Sequence, residues 1–138
     1  MWKILIVEDD EGMREFLHDV MDMLGYQVCE AATGGQAVQA AEQFKPDLVV
    51  QDIMLPDCDG WTVMKRIRSL EGFSTLPAVF CSGSVQARDD FRSFPPPASS
   101  FLYKPFDVDD LDKAIKSLLA GEQGKETNSS DPWAGRFS

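Results

Sequence analysis

Val49-Val50-Gln51-Asp52-Ile53-Met54-Leu55-Pro56-Asp57-Cys58-Asp59-Gly60 is the stretch on which the fold turns. An apolar run ends in one carboxylate, Asp52; a proline follows four residues later, and a turn closes on Gly60. Such a run suits a strand buried on both faces, which delivers an acid to its carboxyl end and then breaks into a loop.

The pattern repeats on either side. Upstream, Lys3-Ile4-Leu5-Ile6-Val7 is a second continuous apolar run, ended by Glu8, Asp9 and Asp10. Met13, Phe16, Leu17, Val20, Met21 and Leu24 then recur at helical spacing, so residues 11 to 24 read as an amphipathic helix stopped by Gly25. A weaker strand covers Gln27 to Ala31. Thr33 caps a helix with Ala37, Val38, Ala41 and Phe44 inward, and Pro46 separates it from a strand over Asp47 to Gln51. Downstream of Gly60, Val63, Met64, Ile67 and Leu70 form a helical face. Pro77 opens the strand Ala78 to Cys81, followed by Ser82-Gly83-Ser84. A short helix over Val85 to Phe94 would turn Ala87, Phe91 and Phe94 inward before Pro95-Pro96-Pro97 ends it. Phe101-Leu102-Tyr103 is a brief strand closed by Lys104-Pro105. Asp107 caps a last helix with Val108, Leu111, Ile115, Leu118 and Leu119, which Gly121 ends.

Strand and helix thus alternate five times. This predicts an α/β fold, a five-stranded parallel sheet with helices on both faces. Residues 1–121 read as one domain. Residues 122–138, rich in Gly, Ser, Asn, Asp and Glu, read as a flexible tail carrying Trp133 and Phe137.

Composition narrows the function. The 138 residues are 43% hydrophobic and 26% charged, as in an ordinary globule. No run approaches the roughly 20 apolar residues of a membrane span, and the amino terminus does not read as a signal peptide, so a cytoplasmic protein is expected. Cys29, Cys58 and Cys81 form no C-x-x-C and read as incidental or buried thiols. A net charge of −10 argues against nucleic acid and anionic membranes as partners.

In a parallel α/β sheet the ligand site lies beyond the carboxyl ends of the strands. Those ends carry Glu8 and Asp9, Asp52, Ser82 and Lys104. Clustered carboxylates repel unless a cation joins them, and Mg²⁺ favours such oxygen ligands. Asp9 and Asp52 would bind it directly, Glu8 through water, with a backbone carbonyl from the loop after Asp52. Lys104 and Ser82 would hold phosphoryl oxygens, and Asp52 would attack phosphorus to form an acyl phosphate.

Ile4 to Asp9, Asp52-Ile53-Met54-Leu55-Pro56 with Asp59-Gly60, Ser82-Gly83 and Lys104-Pro105-Phe106 together resemble the receiver domain of two-component response regulators, of the stand-alone chemotaxis-receiver kind. The resemblance covers residues 2 to 120. The separations of 43 residues from Asp9 to Asp52, 30 from Asp52 to Ser82 and 52 from Asp52 to Lys104 are those the family uses. It implies a (βα)5 flavodoxin-like receiver fold, Asp52 as phosphoacceptor, Glu8 and Asp9 as the acidic pair, and Met54 as the donor of a carbonyl to Mg²⁺. It also implies Lys104 as the phosphate-binding lysine, with Ser82 and Phe101 as the switch pair. A sensor histidine kinase or phosphotransfer protein would supply the phosphoryl group, and a downstream protein would read the changed face. The protein would be a monomer or a phosphorylation-linked dimer. It would not be an enzyme, since it would catalyse only its own phosphorylation and dephosphorylation. Ser82 stands for the commoner threonine and Gly83 for the commoner alanine, Phe101 lacks a hydroxyl, and the Pro95–Pro97 run is unusual.

Two other functions fit parts of the pattern. An aspartyl-nucleophile phosphohydrolase commonly places a second acid two residues after the first, where this chain has Met54. A non-phosphorylated pseudo-receiver would have no need of the acidic pair and Lys104. An EF-hand lacks its remaining ligand positions. Asp10 and Glu11 read as first-turn helix acids, Asp57 and Asp59 as loop acids, His18 as a solvated side chain, and Trp61 as packing under the loop.

Overall fold

A computed structural model describes residues 1–121. The expected tail, with Trp133 and Phe137, lies outside the described residues. Ten elements alternate: β1 (Lys3–Val7), α1 (Glu11–Met23), β2 (Gln27–Ala31), α2 (Gly34–Phe44), β3 (Leu48–Asp52), α3 (Gly60–Arg68), β4 (Ala78–Ser82), α4 (Val85–Ser93), β5 (Ser99–Tyr103) and α5 (Val108–Leu119). All strand pairs are parallel, in the order β2-β1-β3-β4-β5. The chain steps from β1 outward to β2, then returns to place β3 on the other side of β1. The crevice between the carboxyl ends of β1 and β3 is therefore the switch point of the sheet.

Alternation along the buried strands fills two cores. Leu5, Val7, Val49, Phe80 and Phe101 point to the side covered by α2, α3 and α4. Ile4, Ile6, Leu48, Val50, Val79 and Leu102 point to the side covered by α1 and α5. Each helix start has a side-chain cap on a backbone N–H, which relieves the donors a helix leaves unpaired. Asp10, Thr33, Asp59, Ser84 and Asp107 fill these positions.

Several boundaries differ from expectation, most by a single residue. β3 begins at Leu48; Asp47 just before it still holds on to Lys3, its N–H donating to the Lys3 carbonyl at 2.7 Å and its carboxylate accepting from the Lys3 N–H at 2.8 Å. β5 begins at Ser99, two residues early; Ser99 and Ser100 are polar yet fully buried. α4 stops at Ser93, and Phe94, expected inward, is 86% exposed. Pro95 is the reason. A residue before proline is excluded from helical dihedrals, and Phe94 adopts φ −141°, ψ 69°, which swings its ring off the helix face.

Candidate functional site

The five parallel strands bring the expected residues to one edge. Glu8 follows β1, Asp52 and Ser82 close β3 and β4, and Lys104 follows β5. A carboxylate oxygen from each of Glu8, Asp9 and Asp52 lies within 4.8 Å of the others. Glu8 and Asp52 are buried, whereas Asp9 is exposed. Lys104 reaches across from the sheet's far side, with Nζ 2.8 Å from Glu8 Oε1 and 3.4 Å from Asp52 Oδ1. The Lys104–Pro105 peptide is cis.

The charges perturb one another. Burial, and then the hydrogen bond with Asp52, push the Glu8 carboxyl up to about 8, against the pull of Lys104. Burial works to lower Lys104, but its bond to Glu8 and the Asp52 charge outweigh that and hold the ammonium above its usual range. Glu8 Oε2 is buried and has no hydrogen-bond partner. An orphaned carboxylate oxygen beside two more acids is a donor set suited to a divalent cation, which would satisfy the oxygen and offset the repulsion.

Backbone geometry frames Asp52. The Met54 N–H donates to Asp52 Oδ1 at 3.3 Å, while its side chain is 68% exposed. Met54 pairs with Asp59 in an isolated antiparallel bridge, and the Gly60 N–H donates to the Ile53 carbonyl at 2.7 Å, folding the loop back on the strand. A side chain at Gly60 would run into the Asp52 carbonyl and the Ile53 Cα, so only glycine permits this closure. Ser82 is buried, and its Oγ accepts from the Ser84 N–H at 3.0 Å. Ser84 Oγ in turn caps α4 at Ala87 N. Phe101 is fully buried, its ring 5.5 Å from Phe91 of α4.

Sequence reasoning missed several supporting residues. Arg14 donates to the carbonyls of Glu8 at 2.9 Å and Asp9 at 3.4 Å, tying α1 to the acidic pair. Gln51, fully buried, donates from Nε2 to the Asp52 carbonyl. Asp57 is more than a loop acid, since it accepts from the N–H groups of Gly34 and Gly35 at the start of α2. The first of those bonds, chiefly, holds its carboxyl below the usual range. His18 is not simply solvated either; Nδ1 lies 2.9 Å from Glu30 and Nε2 3.3 Å from Asp22. Trp61, expected to pack under the loop, has its ring centroid 4.5 Å from that of Phe80 in β4 and packs on the core.

The family model for the response regulator receiver domain matches residues 4–116. The chain belongs to this family. It is 34% identical over 119 residues to a DNA-binding dual master transcriptional regulator of Synechocystis, covering 86% of this chain and 49% of that protein. It is also 34% identical to the chemotaxis protein CheY of Bacillus subtilis, covering 85% and 97%. It therefore spans about half the length of the first relative and nearly all of the second. The receiver domain of a sensor histidine kinase from Pseudomonas aeruginosa, solved with magnesium coordinated in its active site cleft, superposes with a TM-score of 0.77 at 27% identity, covering 86% of this chain and 98% of that one. The sheet order and paired layers are those of the flavodoxin-like receiver fold. As a two-component receiver domain, the chain is a signalling module of the phosphorelay type. Among the described residues, no helix is long and apolar enough to cross a membrane.

Proposed function

We propose that Asp52 accepts a phosphoryl group from a phosphohistidine on a sensor kinase or phosphotransfer protein. The supporting observation is the placement of Asp52. It is a buried carboxylate at the switch point, 3.4 Å from a raised-pKa lysine and clustered with two further acids. An Asp52 oxygen attacks phosphorus, the phosphorus–nitrogen bond of the donor breaks, and the departing imidazole keeps the electron pair and takes up a proton. Lys104 pairs with a phosphoryl oxygen as charge is redistributed. Glu8, Asp9, Asp52 and the Met54 carbonyl would hold Mg²⁺, which supplies positive charge to the phosphoryl oxygens.

The switch follows from Ser82. Its Oγ is engaged by the Ser84 N–H, and Ser84 caps α4. A phosphoryl oxygen on Asp52 competes for the Ser82 hydroxyl, so the first turn of α4 and the Phe91–Phe101 contact shift population together. A downstream protein reads that change. The functional unit is residues 1–121, acting in the cytoplasm, with no external substrate turned over; it is a monomer or a phosphorylation-linked dimer.

Incubating the chain with phosphoramidate and Mg²⁺ and measuring intact mass tests this. The expected result is a gain of one phosphate that Asp52→Asn abolishes. A gain that survives Asp52→Asn, or none at all, overturns the proposal.

A further inference from the structure

Gln51 stands where the apolar run of β3 calls for a hydrophobic side chain. Leu48, Val49 and Val50 precede it, and like them it is buried. Its register neighbours are Val7 in β1 and Phe80 in β4, both in the apolar core on the side of α2, α3 and α4. Among the described residues, Gln51 Oε1 has no hydrogen-bond partner there. An unmatched buried acceptor destabilises a fold, and an apolar side chain would avoid it. Breaks of a local rule of this kind gather at functional sites.

The other half of the amide is engaged. Gln51 Nε2 donates to the Asp52 carbonyl at 2.9 Å. The N–H of the same peptide, that of Ile53, donates to the Cys81 carbonyl of β4 at 3.0 Å. Both polar ends of the Asp52–Ile53 peptide are therefore held, one by the sheet and one by Gln51. Gly60 closes a further side, since a Cβ on it would strike the Asp52 carbonyl. The peptide is planar, so turning it alters ψ of Asp52 and φ of Ile53 together. Such a turn would disturb the 3.4 Å pairing of Asp52 Oδ1 with Lys104 Nζ and the 3.3 Å bond it accepts from the Met54 N–H.

We propose that Gln51 is a positioning residue for phosphoryl transfer. The proposal rests on the reading of Asp52 as the phosphoacceptor, and adds that the Gln51 amide fixes the Asp52–Ile53 peptide so that the carboxylate meets phosphorus in register with Lys104. Gln51 touches neither the phosphoryl donor nor the metal; it acts through the backbone of its neighbour. Rigidity at this peptide matters because a misplacement of about 1 Å can cost roughly 100-fold in rate. The orphaned Oε1 is the consequence of putting an amide where only its nitrogen finds a partner.

The test compares the full 138-residue chain with Gln51→Met and Gln51→Leu, both apolar and close to glutamine in volume. Each removes the orphaned acceptor and also the donor to Asp52, effects of opposite sign on stability, so Tm should stay within about 4 °C of wild type. Labelling by phosphoramidate at saturating Mg²⁺, far below Tm, should slow about tenfold. In the metal-free proteins the Asp52 carbonyl ¹³C resonance should move upfield, as a carbonyl's does on losing a hydrogen bond, while those of Leu48 and Phe101 hold. Labelling at the wild-type rate overturns the proposal, and so does an unmoved Asp52 resonance. A slower rate accompanied by a larger fall in Tm in both variants makes Gln51 a packing residue and overturns it too. A wild-type chain that gains no phosphate refutes instead the reading of Asp52, and this proposal falls with it.

Discussion

Gly60→Ala tests how the loop after Asp52 holds the proposed phosphoacceptor. The added methyl would meet the Asp52 carbonyl oxygen, and the Ile53 Cα at 2.8 Å. Both are backbone atoms, one of them in a central strand, so no side chain can swing aside. Relief requires the loop to open, which lengthens the 2.7 Å bond from Gly60 N to the Ile53 carbonyl and shifts the Asp52 peptide. Overpacking against fixed atoms costs about 1–3 kcal/mol. With an unfolding entropy of about 2.1 cal/mol/K per residue over the 121 described residues, each kcal/mol lowers Tm by about 4 °C. The expected drop is therefore about 4–12 °C by calorimetry, with slower labelling by phosphoramidate than wild type. Gly35→Ala is the control. A methyl there meets nothing within 4 Å, and the position is helical, so Tm should hold or rise by up to about 4 °C with labelling unchanged. A Gly60→Ala protein that melts within a degree of wild type and labels at the same rate would refute the claim that this glycine is needed for close approach.

Arg68→Met removes one guanidinium from two carbonyls at the starts of β4 and β5. Loss of these charged hydrogen bonds should cost about 1.5–3 kcal/mol, read as a lower urea midpoint with unchanged slope, and Arg68→Lys should recover only part. Asp57→Asn should destabilise near neutral pH. The folded Asp57 pKa is depressed by the Gly34 N–H, so its contribution is complete above the unfolded value of 3.8 and disappears as pH falls below that through the folded value. Urea midpoints of wild type and Asp57→Asn should therefore converge in acid; a gap that stays constant down to pH 2 would contradict this. Asp52→Asn should raise the metal-free Tm, because it removes one of three clustered carboxylates. Mg²⁺ at ten times its dissociation constant should add about 1.4 kcal/mol to wild type and less to Asp52→Asn at the same concentration, measured by thermal melts.

How much of this was legible in the sequence depends on the range of the interaction. β1, β3 and β4 were legible because burial on both faces leaves continuous apolar runs, and the candidate site was legible because a parallel sheet gathers strand ends whatever their separation in sequence. Glu8, Asp52, Ser82 and Lys104 could thus be placed together before any contact was known. The pairing of Lys104 with Glu8 at 2.8 Å, closer than with Asp52, was not legible, since strand order alone does not fix a side chain's reach. Asp57 read as a loop acid because its partners, Gly34 and Gly35, stand 23 and 22 residues away, and a backbone donor leaves no mark in composition. Gln51 was hidden for a similar reason, its partner being the backbone of its own neighbour.

Phe94 is the opposite case, in which one periodicity was extended a residue too far. Helical spacing from Ala87 through Phe91 pointed Phe94 inward, yet the local rule against helical dihedrals before proline overrides a periodic pattern at its last member. The consequence is physical. An inward Phe94 would have added to the core beneath α4; turned outward, it leaves α4 anchored by Ala87 and Phe91 alone among its buried residues. A helix so lightly held, with its cap residue Ser84 wired to Ser82, would give way readily under the phosphorylation proposed for Asp52. The proline run thus gives this receiver a loosely seated α4 and an exposed aromatic at that helix's far end.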